Sequence, residues 1–470
     1  MIRNLALAAS ALALAACASG PDYHPQPVSA TEAAPFLMTE SPAVASVAPP
    51  AGDWWRLYDD PVLNGLVQDA LAANTDVRVA EARLQRARAA VREERGAGEP
   101  QIGVNGGAQY GRSPGTLATG DDRARLQVGT GLNVAYEADL FGRISRRVEA
   151  ARGDAGAAAA DADAVRVIVV SDTVQAYADA TSAAERADVA RTIVALLNQS
   201  LALTEKRHQI GLATGLDTAR IATLRDQRRA EIPNFEAQRQ AALFRLATLT
   251  GRAPRDLPAQ ATARTSTLRL TQIIPVGDGA TLLARRPDVR AAERRLAAST
   301  ARIGVATADL YPRITLGGSL ASSSSGVSSL FSNPVAWLIG PLINWTANRT
   351  AARARVAEAH ADTQAALATF DGTVLEALQE TETALSNYQQ ALNRRAALRD
   401  ARDQAAKAAT ITRARQREGD ISSLELLDAE RTLAETQAAL AEADANIART
   451  QIDLFRALGG GWSGASPAAP

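Results

Sequence analysis

Two stretches of the chain run for nearly seventy residues each at helical spacing with no proline: Arg143 to Ile210 and Asn348 to Glu418. Ala, Arg, Glu and Asp dominate both, and Gly is sparse. At a rise of about 1.5 Å per residue, each would extend roughly 100 Å as a helix. Apolar residues recur at every seventh position, first as Val189, Leu196, Leu203 and Ile210, then as Leu426, Leu433, Leu440, Ile447 and Leu454. Small residues, Ala429, Thr436, Ala443 and Thr450, flank the second seam. Heptad spacing predicts coiled-coil packing with a left-handed supercoil. Each long stretch ends at a short turn. In "RHQIGLATGLDTAR", Gly211 is placed to end one helix and Thr214 with Asp217 to cap the next. In "RQREGDISSLELLDAE", Gly419 is followed by Ser422 and Glu425 at capping-box spacing. Two helical hairpins are predicted, over 143–250 and 348–458.

A different period precedes each hairpin. "QIGVNGGAQYG" and "LQVGTGLNVAY" alternate with period two, as do "RITLGGSLASS" and "VAWLIGPLINW". They predict strand hairpins over 100–137 and 312–347. Each strand has about the 9–11 residues that cross a membrane in a tilted barrel. A soluble hairpin would carry the same alternation.

The two halves repeat one plan. "DVRVAEARL" at 76–84 returns within "PDVRAAERRL" at 287–296, an offset of 212 that persists from Pro100 to Pro312, Ile102 to Ile314 and Gly106 to Gly318. The tips repeat at an offset of 208, Leu216 matching Leu424. The repeats are expected at 53–251 and 278–460, with the Pro-rich segment 252–277 as a linker in the equatorial region and 461–470 as a tail. Asp60 followed by Pro61 predicts a capped helix start.

Composition narrows the function. Aromatics are only 4% of the chain, and the formal net charge is zero, which gives no footprint for nucleic acid. Three His and one Cys exclude a multi-Cys/His zinc site and an intrachain disulfide. No P-loop, nucleophile elbow or His–carboxylate cluster is visible, so a non-enzyme without cofactor or resident metal is expected. His208 and His360 read as surface residues. The opening "MIRNLALAASALALAACASG" has a basic start and an apolar run of signal-peptide length. Its end, "LAAC", resembles the bacterial lipobox, which predicts a signal peptide at 1–16 and an acylated Cys17. Ala18, rather than Asp, follows it, which by resemblance favours the outer membrane. Residues 17–52, with "HPQP" and "VAPPAG", read as an extended tethering leader.

Lipobox, "WW…DP.L", the duplicated helix–hairpin–long-helix halves, "YEADLFGR" and "IGPLINW" together resemble the outer-membrane efflux family. The resemblance is to the TolC/OprM type, in its lipoprotein branch serving resistance-nodulation-division pumps, and it covers essentially the whole mature chain. It implies a mainly α protein with a membrane β-barrel. Three protomers each give four strands to a twelve-stranded barrel and a pair of helical hairpins to a periplasmic tunnel. Four strands alone fall short of the roughly eight that a barrel needs, which independently asks for an oligomer. The resemblance further implies a homotrimer in the outer membrane, a periplasmic adaptor (membrane fusion protein) docked on the tips, and an inner-membrane pump of the resistance-nodulation-division class. The docking tips would be Ile210, Gly211 and Leu212 with Glu418, Gly419 and Asp420. Glu425 and Asp428, three apart on one helical face, would ring the tunnel's constriction. Asp217 would contribute a closing lock, with Arg413, Arg415 or Arg417 as partner where the family's Tyr and Arg read Gln416 and Ile421. One departure is expected at 345–349, where "TANRTAARAR" follows Trp345 at once and the strand-to-helix junction looks shortened. Two rivals stand beside this reading. A type I protein secretion channel would share the fold. A structural coiled-coil lipoprotein would have no need of paired membrane-length strands.

Overall fold

A computed structural model describes residues 19–38, 43–45, 52–111, 124–270, 272–324, 335–418 and 420–460. The calls on Cys17, Gly419, the signal peptide at 1–16 and the tail at 461–470 lie outside these residues. The chain forms two compact units, and each draws on both sequence repeats. One comprises 83–159 and 291–372 with the N-terminal residues to 26. The other comprises 27–82, 160–290 and 373–470.

The first unit holds a four-stranded antiparallel sheet, β1 (Gln101–Gly111), β2 (Arg125–Ala138), β3 (Arg313–Ser324) and β4 (Ala336–Asn344), in the order β1-β2-β3-β4. The repeated hairpins thus meet through β2 and β3, and β1 and β4 are left as edges. Helix α3 (Arg143–Gln209) starts after β2, and α7 (Thr350–Glu418) after β4. At the first junction Asp139 caps α3, accepting from the Ile144 and Ser145 amides at 2.9 and 2.8 Å. Arg143 donates twice to Glu137, at 2.9 and 2.5 Å. At the second junction Asn348 plays the capping part, accepting from the Thr350 amide at 3.1 Å, and Arg349 lies over the Trp345 ring. Residues 345–349 separate strand from helix there, against 139–142 in the first half. The second junction is thus no shorter than the first within this chain, and Asn348 caps its helix as Asp139 caps α3.

The leader is not a free tether where it is described. Arg146, buried in this unit, donates to the Ser19 carbonyl at 3.1 Å and to Asp22 at 2.6 Å. Gly20, at φ +86°, packs on Gly304 so closely that a Cβ on either would strike the other's backbone neighbourhood. Composition pointed to extended chain; one buried guanidinium and a glycine–glycine contact dock it.

The second unit contains α1 (Pro61–Ala73), α2 (Thr75–Gly96) in its first turns, α5 (Gly279–Arg285) and the start of α6 (Pro287–Ala308). It also contains the helical hairpins, in which α4 (Gly215–Leu249) returns from α3 and α8 (Ser423–Ala457) from α7. Its core centres on Trp54, stacked on Phe455 at 4.5 Å between centroids, with Leu63, Tyr177, Leu268, Ile274 and Leu385. Asp60 is the N-cap of α1 as read. Its buried carboxylate accepts from the amides of Val62 and Leu63, from Tyr177 Oη at 3.1 Å and from Arg264 Nη1 at 2.9 Å. A buried charge is tolerable only with such a full set of donors. Segment 252–277 is more than a linker. Leu268, Ile274 and Val276 are core residues, and Ile274–Pro275 pairs in parallel with Val44–Ala45 of the leader. Its apolar residues find cover in the core, and Pro275 sits within the paired strand.

The repeat is visible in hydrogen bonds. Asn74 Nδ2 donates to the carbonyl of Leu249 at the end of α4. Arg286 Nη1 donates to the carbonyl of Ala457 at the end of α8. Residues 74 and 286 stand at the 212-residue offset, 249 and 457 at the 208-residue offset. Each half therefore ties its short helix to its returning long helix at the same place, satisfying a helix-terminal carbonyl.

The heptad seam of α8 is where the pattern put it, with Leu426, Leu433 and Leu454 buried and Leu440 and Ile447 half-buried. The seam of α3 is not. Ala190, Leu197 and Thr204 are buried, one residue on from the expected line, together with Ile193 and Leu201, whereas Leu203 and Ile210 are exposed. Val189 and Leu196 are half-buried, so the expected line runs along the edge of the contact rather than through it.

Candidate functional site: sheet face and helical tips

Alternation along the strands sorts the sheet into two faces. Register places Ile102 opposite Val134, Val104 opposite Leu132 and Tyr110 opposite Leu126. Leu132 continues to Leu320 and Tyr136 to Leu316. Leu320 meets Trp337, and Ile314 meets Ile343. Because side chains alternate with period two, these residues share one face, and it is apolar across all four strands. The other face carries Gln101, Asn105, Gln109, Gln127, Asn133, Glu137, Thr315 and Ser319 with several glycines. Asn133 donates to Asn105 there at 3.1 Å. Leu338 and Leu342 are the exceptions on β4. The apolar face is solvent-exposed in one chain, Val104 by 79% and Ile339 by 75%. A contiguous apolar surface of this kind marks an interaction with lipid or protein. Among the described residues no helix is long and apolar enough to cross a membrane.

The tips lie in the other unit. α3 ends at Gly211, at φ +78°, with the Leu212 amide donating to the Arg207 carbonyl at 2.8 Å and the Gly211 amide to His208 at 3.0 Å. Thr214 and Asp217 form a full capping box at the start of α4. His208 Nδ1 joins the turn at 2.9 Å from the Ala213 carbonyl. Thr214 bonding holds the Asp217 carboxyl below the usual carboxylate range. At the second tip the Asp420 amide bonds the Arg415 carbonyl at 3.0 Å, and Ser422 Oγ accepts from the Glu425 amide at 3.4 Å and lies 3.4 Å from its carboxylate. Ile210, Leu212, Leu216 and Leu424 are exposed apolar residues at these ends. Leu216 and Leu424 matched each other in the repeat but were not among the residues expected to dock.

Glu425 and Asp428 are both exposed on the first turns of α8, and Asp428 pairs with Arg431 at 2.8 Å. Asp217 is engaged by its own cap and forms no ion pair among the described residues. Arg413, a candidate partner for it, is instead held by Glu430 at 3.2 Å. Glu430 also escaped notice in the sequence. It is buried, and Ser200 of α3 donates to it at 2.5 Å. Arg207 Nη1 donates to the Gln416 carbonyl at 2.6 Å. Two polar contacts thus join the first helical hairpin to the second near the tips, at positions the sequence does not mark.

A four-stranded sheet with one apolar face and two long helical hairpins are the parts expected of an outer-membrane channel protein. The chain matches the model of the outer membrane efflux protein family over residues 66–252 and 280–460, belongs to that family, and is an outer-membrane efflux channel with a helical tunnel and a β-barrel. It is 33% identical to outer membrane protein OprJ of Pseudomonas aeruginosa over 464 residues, 96% of this chain and 94% of OprJ. It is 30% identical to the cation efflux system protein CusC of Escherichia coli O6:H1, across 96% of this chain and 97% of CusC. Its fold is similar to the solved outer-membrane channel OprN, with a TM-score of 0.88 and 36% identity over 95% of this chain and all of that one. For a solved CusC structure the TM-score is 0.81 at 26% identity, over 94% of this chain and 99% of that one.

Proposed function

We propose that three copies of this chain form one continuous, passive conduit from the periplasm to the exterior for small molecules such as drugs or other toxic compounds. A periplasmic adaptor docks on the helical tips, and an inner-membrane pump of the resistance-nodulation-division class supplies the energy. The observation that carries this reading is the open sheet. It has an apolar face across four strands and unpaired edges at β1 and β4. Unpaired backbone groups are not tolerated in hydrocarbon, so the edges need partners. Four strands are too few to close on themselves, and three protomers supply twelve. The chain has no catalytic part in this reading: selection and work reside in the pump, and the tip opens and closes. In planar bilayers the purified protein is expected to give discrete, long-lived conductance steps. Correctly assembled protein that never conducts would remove the conduit reading.

The lipid anchor belongs to the same proposal. Cys17 is the chain's one cysteine, and it stands at the end of "LAAC". Labelled palmitate is expected in the wild type and not in Cys17→Ser. Equal labelling of both would exclude acylation at this residue. A lipid chain adds an anchor but does not replace a barrel, so the variant is expected to stay in the membrane fraction.

A further inference from the structure

Within the second unit, an open cavity of about 590 Å³ lies among α3, α7, α8 and the segment that carries Arg269. That is within the roughly 300–1,000 Å³ typical of ligand sites. Arg395, Arg399 and Arg402 enter it from α7. Their spacing of four and three puts them on one helical face, where like charges repel. Arg269, which shares Asp444 with Arg395, adds a fourth guanidinium.

The carboxylates of the cavity are largely committed. Asp444 pairs with Arg395 and lies 3.4 Å from Arg269. Glu185 accepts from Arg269 at 3.0 Å and from the Thr267 amide at 2.6 Å. Asp188 is held by Arg191 at 2.5 Å, outside the lining. Among the described residues Arg402 has only the adjacent Asp403, 3.0 Å from Nε, and that N–H, though buried, is not aimed at it. Arg399 has no ion pair among the described residues. Two guanidinium groups therefore face a cavity whose acids are already paired. The floor includes Leu440 and Ala441, which lower the local dielectric and sharpen the field.

We propose that this cavity binds a compact multivalent anion of the phosphate or polycarboxylate class through Arg399 and Arg402. The planar guanidinium fork matches the oxygen spacing of either group. Both arginines stand on one face of α7, so a bound anion would relieve the repulsion between them. None of these residues lies at the tips or on the sheet, so the site is separate from the residues expected to dock the adaptor or to form the gate.

The test uses full-length protein in detergent at fixed ionic strength, titrated calorimetrically with inorganic phosphate, with citrate, and with chloride as the monovalent control. Saturable binding of phosphate, citrate or both is expected, weakened about tenfold or more in the double variant Arg399→Gln/Arg402→Gln. Arg394→Gln, which removes an exposed charge from the same helix outside the cavity, is expected to bind as the wild type does. Binding of one polyvalent anion alone would identify the preferred class. The proposal is overturned if neither anion binds saturably, if chloride binds as well, if the double variant binds unchanged, or if Arg394→Gln weakens binding equally.

Discussion

Gly211→Trp should reduce efflux to the level of cells lacking the channel, while Gly211→Asn should retain most of it. The two substitutions separate the two things this glycine does. Its φ of +78° ends α3, and an L-residue there is strained by roughly 1–2 kcal/mol unless, like Asn, it tolerates the left-handed region. A Cβ at this position meets nothing within 4 Å, so an indole would project from the tip without disturbing the chain's own packing. It would stand near Ile210, Leu212 and Leu216, apolar residues left exposed among the described residues. Trimers should form in both variants. Efflux that survives Trp would count against docking at this tip, and efflux lost in Asn as well would show that backbone conformation, not the surface, is at stake.

Local signals in the sequence carried further than distant ones. Asp60 with Pro61, Thr214 with Asp217, and the strand alternation each involve residues a few positions apart, and the structure has all three as read. The duplication was legible because both halves keep the same punctuation. What escaped depends on tertiary contact. Helix α3 is so rich in alanine that its apolar period does not say which line packs, and the buried line lies one residue beyond the leucine-marked one. Ser200 and Glu430 are 230 residues apart, and nothing local announces their contact. Arg146 reads as one more charge in a charged helix until Ser19 and Asp22 are found on it.

Removing both tip carboxylates, in Glu425→Ala/Asp428→Ala, is expected to lower cation over anion permeability by about fivefold or more in planar bilayers. Even in bulk-water dielectric, a unit charge about 4 Å from a passing ion is worth about 1 kcal/mol, and a narrow passage screens less. Three copies would make each residue a ring of three carboxylates, six in all, the two rings about one helical turn apart. Arg431 partly neutralises Asp428, whereas the Glu425 carboxylate has, among the described residues, the Ser422 hydroxyl at 3.4 Å and no cation. Glu425→Ala alone should therefore account for the larger share of the change. Block by trivalent cations from the periplasmic side should weaken in parallel. Unchanged selectivity and block in correctly folded trimers would show that these carboxylates do not line the constriction.

The account rests most heavily on closure of the sheet by neighbouring copies. The direct measurement is the protein mass of the detergent-solubilised assembly, by light scattering with the detergent's contribution subtracted. Three chains per particle are expected, in the same preparation that conducts in bilayers. A monodisperse single chain that keeps its secondary structure and its channel activity would contradict the account, because β1 and β4 would then have to be satisfied without partners.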